Sequence, residues 1–267
     1  MPLSPVCKIR NYGGKILAIY LVLVFCPAAA AQISHEETAA FEKANEAYRD
    51  GKYQQAAELY QNLITANPNS AVFYYNLGNA NYRLKKIGPA ILAFERALMR
   101  SPRQNDIRSN LNYVRSRLEY VIEDKRNWYV KTGEVVLSFF REDEINVLFL
   151  FSLFIFLCSW IFCRYKRNGA AWGWVRKGLL LIVITFGVLT GLKIVQVHVI
   201  RSAIVTAQEA EVRYGPSIQD QVAFRLGEGL KISVIDVRNS WSRVWLVNGK
   251  SGWMKNSHIE RVYKRGS

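Results

Sequence analysis

Three arginines, Arg49, Arg83 and Arg117, recur at an interval of 34 residues. Around them stand Asn45 and Asn79, Tyr48 and Tyr82, and Tyr113. These residue types suit the capture of an extended acidic peptide. A guanidinium fork takes a carboxylate through two charge-assisted hydrogen bonds, and an asparagine amide can hold a peptide backbone through its donor and acceptor. Asn45, Tyr48, Arg49, Asn79, Tyr82, Arg83, Tyr113 and Arg117 therefore form a candidate partner-binding groove. The alternative is that the arginines form ion pairs between repeats, with the acidic first repeat. From Arg83 to Arg117 there are nine basic residues and only two acidic ones, Glu95 and Asp106. Such a stripe attracts an acidic protein segment or anionic lipid headgroups. An exported chain has no nucleic acid to meet there.

No nucleophile and base stand at a spacing that suggests catalysis, and no glycine-containing stretch matches a phosphate-binding fingerprint. His35, His198 and His258 are isolated. Cys7 and Cys26 fall within residues 1–31, and Cys158 and Cys163 in a later apolar run. The expectation is a protein without catalytic residues, metal or cofactor.

The elements that must position the groove follow from the repeat. At the same interval Tyr48 matches Tyr82, Ala56 matches Ala90, Tyr60 matches Phe94 and Pro68 matches Pro102. The stretch Tyr74-Tyr75-Asn76-Leu77-Gly78-Asn79-Ala80-Asn81-Tyr82, with Ala90, Phe94, Ala97 and Pro102, resembles a tetratricopeptide repeat. That resemblance implies stacked helix pairs. The first repeat runs from about residue 37 to 70, with Ala44 where a glycine is usual. A third register lacks its second helix, so Asp106 to Tyr120 is expected to be a capping helix over the second repeat. The array is assigned to residues 32–122.

The chain has 267 residues, half of them hydrophobic (50 %), yet a net charge of +15, so apolar and basic residues are segregated. Ile16 to Phe25 is continuously apolar after Lys8, Arg10 and Lys15, and Ala29 and Ala31 follow. This is the layout of a signal peptide, residues 1–31, cleaved before Gln32 or retained as an anchor. Two further apolar runs are long enough to cross a bilayer, residues 143–163 and 178–200, the second interrupted by Lys193. The loop 164–177 between them holds Arg164, Lys166, Arg167, Arg176 and Lys177 and no acid, which places it in the cytoplasm. Residues before and after the hairpin then lie outside. Residues 123–142, with Trp128, Tyr129, Val135, Val136, Phe139 and Phe140, read as a helix lying on the outer leaflet, or as a packed loop helix.

Residues 203–263 change to short β-rich runs: Ile204 to Thr206, Ala210 to Val212, Gln221 to Leu226, Leu230 to Val237, Ser242 to Val247 and Gly252 to Met254. Asn248-Gly249 predicts a tight hairpin turn, since both residues tolerate positive φ. Val212-Arg213-Tyr214-Gly215-Pro216-Ser217, Gly227-Glu228-Gly229, Trp241 and Gly252-Trp253 resemble a bacterial SH3-like barrel. The resemblance implies a ligand face that uses aromatics, for which Tyr214, Trp241 and Trp253 are the candidates. Trp241 and Trp253 also suit a core.

The expected architecture is a multidomain membrane protein: a helical tetratricopeptide array, two transmembrane helices and a small all-β SH3-like barrel. This order resembles the BatE proteins of an aerotolerance operon. The resemblance implies a non-enzymatic adaptor in the bacterial inner membrane, beside von Willebrand factor A-type membrane proteins and a MoxR-like ATPase, in stress tolerance. The alternative is a cell-wall anchor whose barrel binds peptidoglycan while the repeats recruit an envelope enzyme.

Overall fold

The structure is a computed structural model that describes residues 35–120, 122–165, 171–196 and 201–263. The signal-peptide reading, the loop cations Lys166 and Arg167, and His198 lie outside the described residues. The chain divides into two units, Met1–Ala40 and Phe41–Ser267. Of the first, only the opening turns of one helix are described.

The array consists of α1 (His35–Arg49), α2 (Tyr53–Ala66), α3 (Ala71–Arg83), α4 (Ile87–Arg100) and α5 (Asn105–Arg115). The sequence period reappears in the backbone. Gly51 and Lys85 occupy the same repeat position, and both take positive φ, 78° and 60°. Lysine accepts a conformation that costs a side-chain-bearing residue about 1–2 kcal/mol. Small residues let the helices approach closely. Gly78 sits so near Phe94 that a Cβ there would meet the ring at 2.7 Å. In the first repeat the counterpart pair is Ala44 and Tyr60, both fully buried.

Helix α5 covers the second repeat with Ile107, Leu111 and Val114, all buried. It is shorter than the periodicity predicts, ending at Arg115 instead of Tyr120. The reason is tertiary: Leu118 and Ile122 pack on the core of the C-terminal sheet, and the Tyr120 ring lies over Gly227. A continued helix would turn these side chains away.

That sheet has seven antiparallel strands, β1 (Arg201–Val205), β2 (Glu209–Arg213), β3 (Val222–Gly227), β4 (Lys231–Arg238), β5 (Trp241–Trp245), β6 (Ser251–Lys255) and β7 (Ile259–Arg261), in the order β3-β2-β6-β5-β4-β1-β7. β1 to β6 contribute to one core that includes Val205, Val212, Leu226, Ile232, Val244 and Met254. The three-residue β7 escapes sequence detection because it is too short to show alternation. In the β5–β6 loop only Gly249 has positive φ, at 89°. Leu246 N–H donates to Lys250 O, so the connection is longer than the two-residue turn that Asn248-Gly249 predicts.

Between array and sheet run α6 (Trp128–Phe139), α7 (Glu142–Tyr165) and α8 (Ala171–Ile194). α7 and α8 are long and apolar enough to cross a membrane, and only 11 % and 6 % of their most apolar windows is buried. A core helix of a soluble domain would be mostly covered. α6 has no buried residue; Glu134 pairs with Arg126, and Lys131 donates to Asp124 O. Trp128, Val135 and Phe139 are exposed. The Lys193 ammonium, in α8, donates to Leu137 O at 2.7 Å. It thereby satisfies one of the orphan carbonyls at the end of α6, which gives this interrupting charge a structural partner. Arg103, from the array, pairs with Glu144 and lies over the Phe139 ring.

Candidate partner-binding face

The first helices of the repeats lie side by side through polar contacts. Asn110 Nδ2 donates to Asn79 Oδ1 at 3.0 Å and to the Tyr75 hydroxyl at 3.1 Å. The Tyr82 and Tyr113 rings meet edge to face, 5.7 Å between centroids. In the first repeat the Tyr60 hydroxyl donates to Asn45 Oδ1 at 2.8 Å. Burial pushes the Tyr60 phenol up to about 12, so it stays a donor across the physiological range.

The arginines do not pair with the acidic first repeat among the described residues. Arg83 donates to the Tyr53 hydroxyl and stacks over that ring at 4.8 Å. Arg117 donates to the Tyr113 hydroxyl at 3.2 Å and stacks at 5.2 Å. The Tyr82 hydroxyl, together with the Arg117 guanidinium, pulls the Tyr113 phenol below its ordinary value. Arg49 is exposed, and Tyr48 packs edge to face on Tyr53. A guanidinium stacked on an aromatic ring is held in place while part of its fork stays open. Forks held open in this way have the chemistry to accept carboxylates. Tyr53, which supports Arg83, and Tyr75, which holds Asn110, are missed by the 34-residue comparison, which aligns residues in sequence and not across helices.

On the sheet the three candidate aromatics do not form one surface. Tyr214 is 73 % exposed on the β2–β3 loop, whereas Trp241 is 8 % and Trp253 7 % exposed. Trp253 is covered by the Arg238 guanidinium at 5.0 Å. Trp241 shows one edge to a cavity of about 300 Å³ lined also by Glu211, Arg213, Arg225 and Lys255. The two tryptophans therefore serve mainly as core, with Tyr214 as the free ring.

The array and the sheet are docked through α4. Its first turn has unpaired N–H groups, and Glu228 Oε1 accepts that of Gly88 at 2.8 Å. A Cβ on Gly88 would lie 2.6 Å from Val205 O. Arg96 donates to Val262 O, Arg261 O and Glu260 Oε1 at 3.2, 2.7 and 2.9 Å. Glu95, 6 % exposed, accepts from Arg115 of the array and Lys231 of the sheet. Burial alone would raise its carboxyl, but Lys231 and Arg115 outweigh that and hold it below its ordinary value.

No group of three or more potential metal ligands occurs among the described residues. A tetratricopeptide repeat family model matches residues 41–106, and no curated protein matches the chain. The chain thus contains tetratricopeptide repeats, and these support a role in protein–protein interaction.

Proposed function

We propose that the chain is a non-enzymatic, membrane-anchored adaptor that docks an acidic segment of a partner protein on the first-helix face of its array. The observation that carries this reading is the arginine row: Arg83 and Arg117 are oriented by tyrosine rings and have no carboxylate partner among the described residues. Membrane anchoring is supported by the uncovered apolar sides of α7 and α8 and by the outward apolar face of α6. Two crossings return a chain to the side it left, which is compatible with contact between the array and the sheet that flank the hairpin. The basic loop between the spans favours the outer side for both. By resemblance to the BatE proteins, the partners are von Willebrand factor A-type membrane proteins and a MoxR-like ATPase system, in aerotolerance or envelope stress.

The test is co-purification from detergent-solubilised membranes of cells carrying the wild type or the triple variant Arg49→Glu, Arg83→Glu, Arg117→Glu. Loss of the partner band from the triple variant is the expected result. Equal recovery from both overturns the groove assignment.

The exposure of Tyr214 favours a second reading, in which an SH3-like barrel holds cell-wall material. Full-length protein would then sediment with purified peptidoglycan sacculi and do so severalfold less after Tyr214→Ala, a loss of about 1 kcal/mol of contact. A chain that stays in solution with sacculi excludes it.

A further inference from the structure

A second recess, of about 300 Å³, is formed mainly by α2 and α4, the second helices of the two repeats, and not by the face that carries the arginine row. Ala57, Leu77 and Leu92 give it an apolar floor, and Glu260 of β7 closes one side. Asn81 of α3 lines it. The residue as a whole is only 9 % exposed, but its side-chain amide is not among the buried polar atoms left unpaired: it opens onto the recess, and no described side chain bonds it. An amide that reaches the recess without a protein partner keeps its donor and acceptor free for a ligand in place of water.

We propose that this recess binds a neutral, extended peptide segment with one aliphatic side chain, whose backbone amide pairs with the Asn81 carboxamide. A carboxamide presents a donor and an acceptor side by side, which complements the C=O and N–H of a peptide unit. At the rim one ion pair, Arg96 with Glu260, is closed, and the Gln54 carboxamide bridges the other two charges, Lys86 and Glu58. Two acids balance two bases, leaving no excess charge to recognise an ionic ligand. The floor fits an aliphatic side chain, and the volume is at the small end of ligand pockets, about 300–1,000 Å³. Asn81 also breaks the repeat: the same position holds Ala47 in the first register and Arg115 in the third. Because Glu260 belongs to the sheet, the site is complete only when array and sheet are docked. It is independent of the arginine row and so of the function proposed above.

The probe is N-acetyl-leucine-N′-methylamide, a neutral capped residue, followed by saturation-transfer NMR on the full-length detergent-solubilised protein. N-acetylleucine and leucinamide serve as its anionic and cationic counterparts. Transfer to the neutral probe is expected to exceed that to either ion by about fivefold to tenfold, and to fall by a similar factor in Asn81→Leu and Asn81→Asp. The Asp variant keeps the side-chain size, so it decides the matter if the Leu variant disturbs the array. The triple arginine variant is expected to behave as wild type. Equal transfer to all three probes, or an unchanged signal in Asn81→Asp, overturns the assignment and leaves a water-filled recess.

Discussion

Replacing Phe94 with alanine is expected to lower the stability of the second repeat by about 3–5 kcal/mol, the range for deleting a buried aromatic side chain. Phe94 is 1 % exposed and forms the wall against which Gly78 closes, with three ring atoms within 3.0 Å of where a Cβ would stand. Gly78→Ala is therefore also destabilising. Overpacking of about 1–3 kcal/mol exceeds the gain of up to about 1 kcal/mol from alanine's helix propensity. The two sites must couple: in Phe94→Leu the Gly78→Ala penalty is expected to shrink. Hydrogen exchange at the α3 and α4 amides, measured on the full chain, reads each effect. Additive penalties in the double variant would show that the close approach is not what excludes a side chain at residue 78.

Glu95→Gln is expected to loosen the docking of sheet on array by about 2–3 kcal/mol. Breaking a fully buried ion pair costs about 3–5 kcal/mol. Here the Arg115 and Lys231 side chains are 37 % and 41 % exposed and can return to water, which reduces the loss. Faster proteolysis of the segment joining α5 to α6, together with faster exchange at β7, would report it. Acid should have the same effect. The folded carboxyl lies below its ordinary value of 4.5, so ionised Glu95 stabilises the docked state above that pH. The contribution is lost as pH falls through the lower, folded value. Docking in the Gln variant should lack this acid-dependent component. An identical acid profile in wild type and variant would assign the transition to other carboxylates.

The repeat was legible because it is written in small and large residues at a fixed interval. Ala44 and Gly78 must be small, and Tyr60 and Phe94 large, for helices to stack. The two long helices were legible from unbroken apolar runs, and six strands from alternation. The contacts that join the modules were not. Gly88 to Glu228 and Arg96 to Val262 link residues more than a hundred positions apart, and nothing local at either end announces the other. The end of α5 was misjudged for the same reason, since Leu118 and Tyr120 continue a helical pattern but serve the sheet. Of the candidate site, the arginines and Tyr113 could be read, but not Tyr53, the ring under Arg83. Trp241 and Trp253 carried the opposite difficulty: aromatic type alone does not separate a ligand face from a core. Asn81 was visible only as a departure from the period.

The docking of β7 and Glu228 on α4 has a mechanical consequence. A hairpin joined to its head by one flexible linker can swivel and transmit no torque. Here both legs of the hairpin enter the same clamped body, one through the segment after α5 and the other through β1. Rotation of α7 about α8 would then reach the seam at Glu95 and Arg96 through two connections. Attachment at two points, and not one, is what would let a twist of the hairpin load that seam.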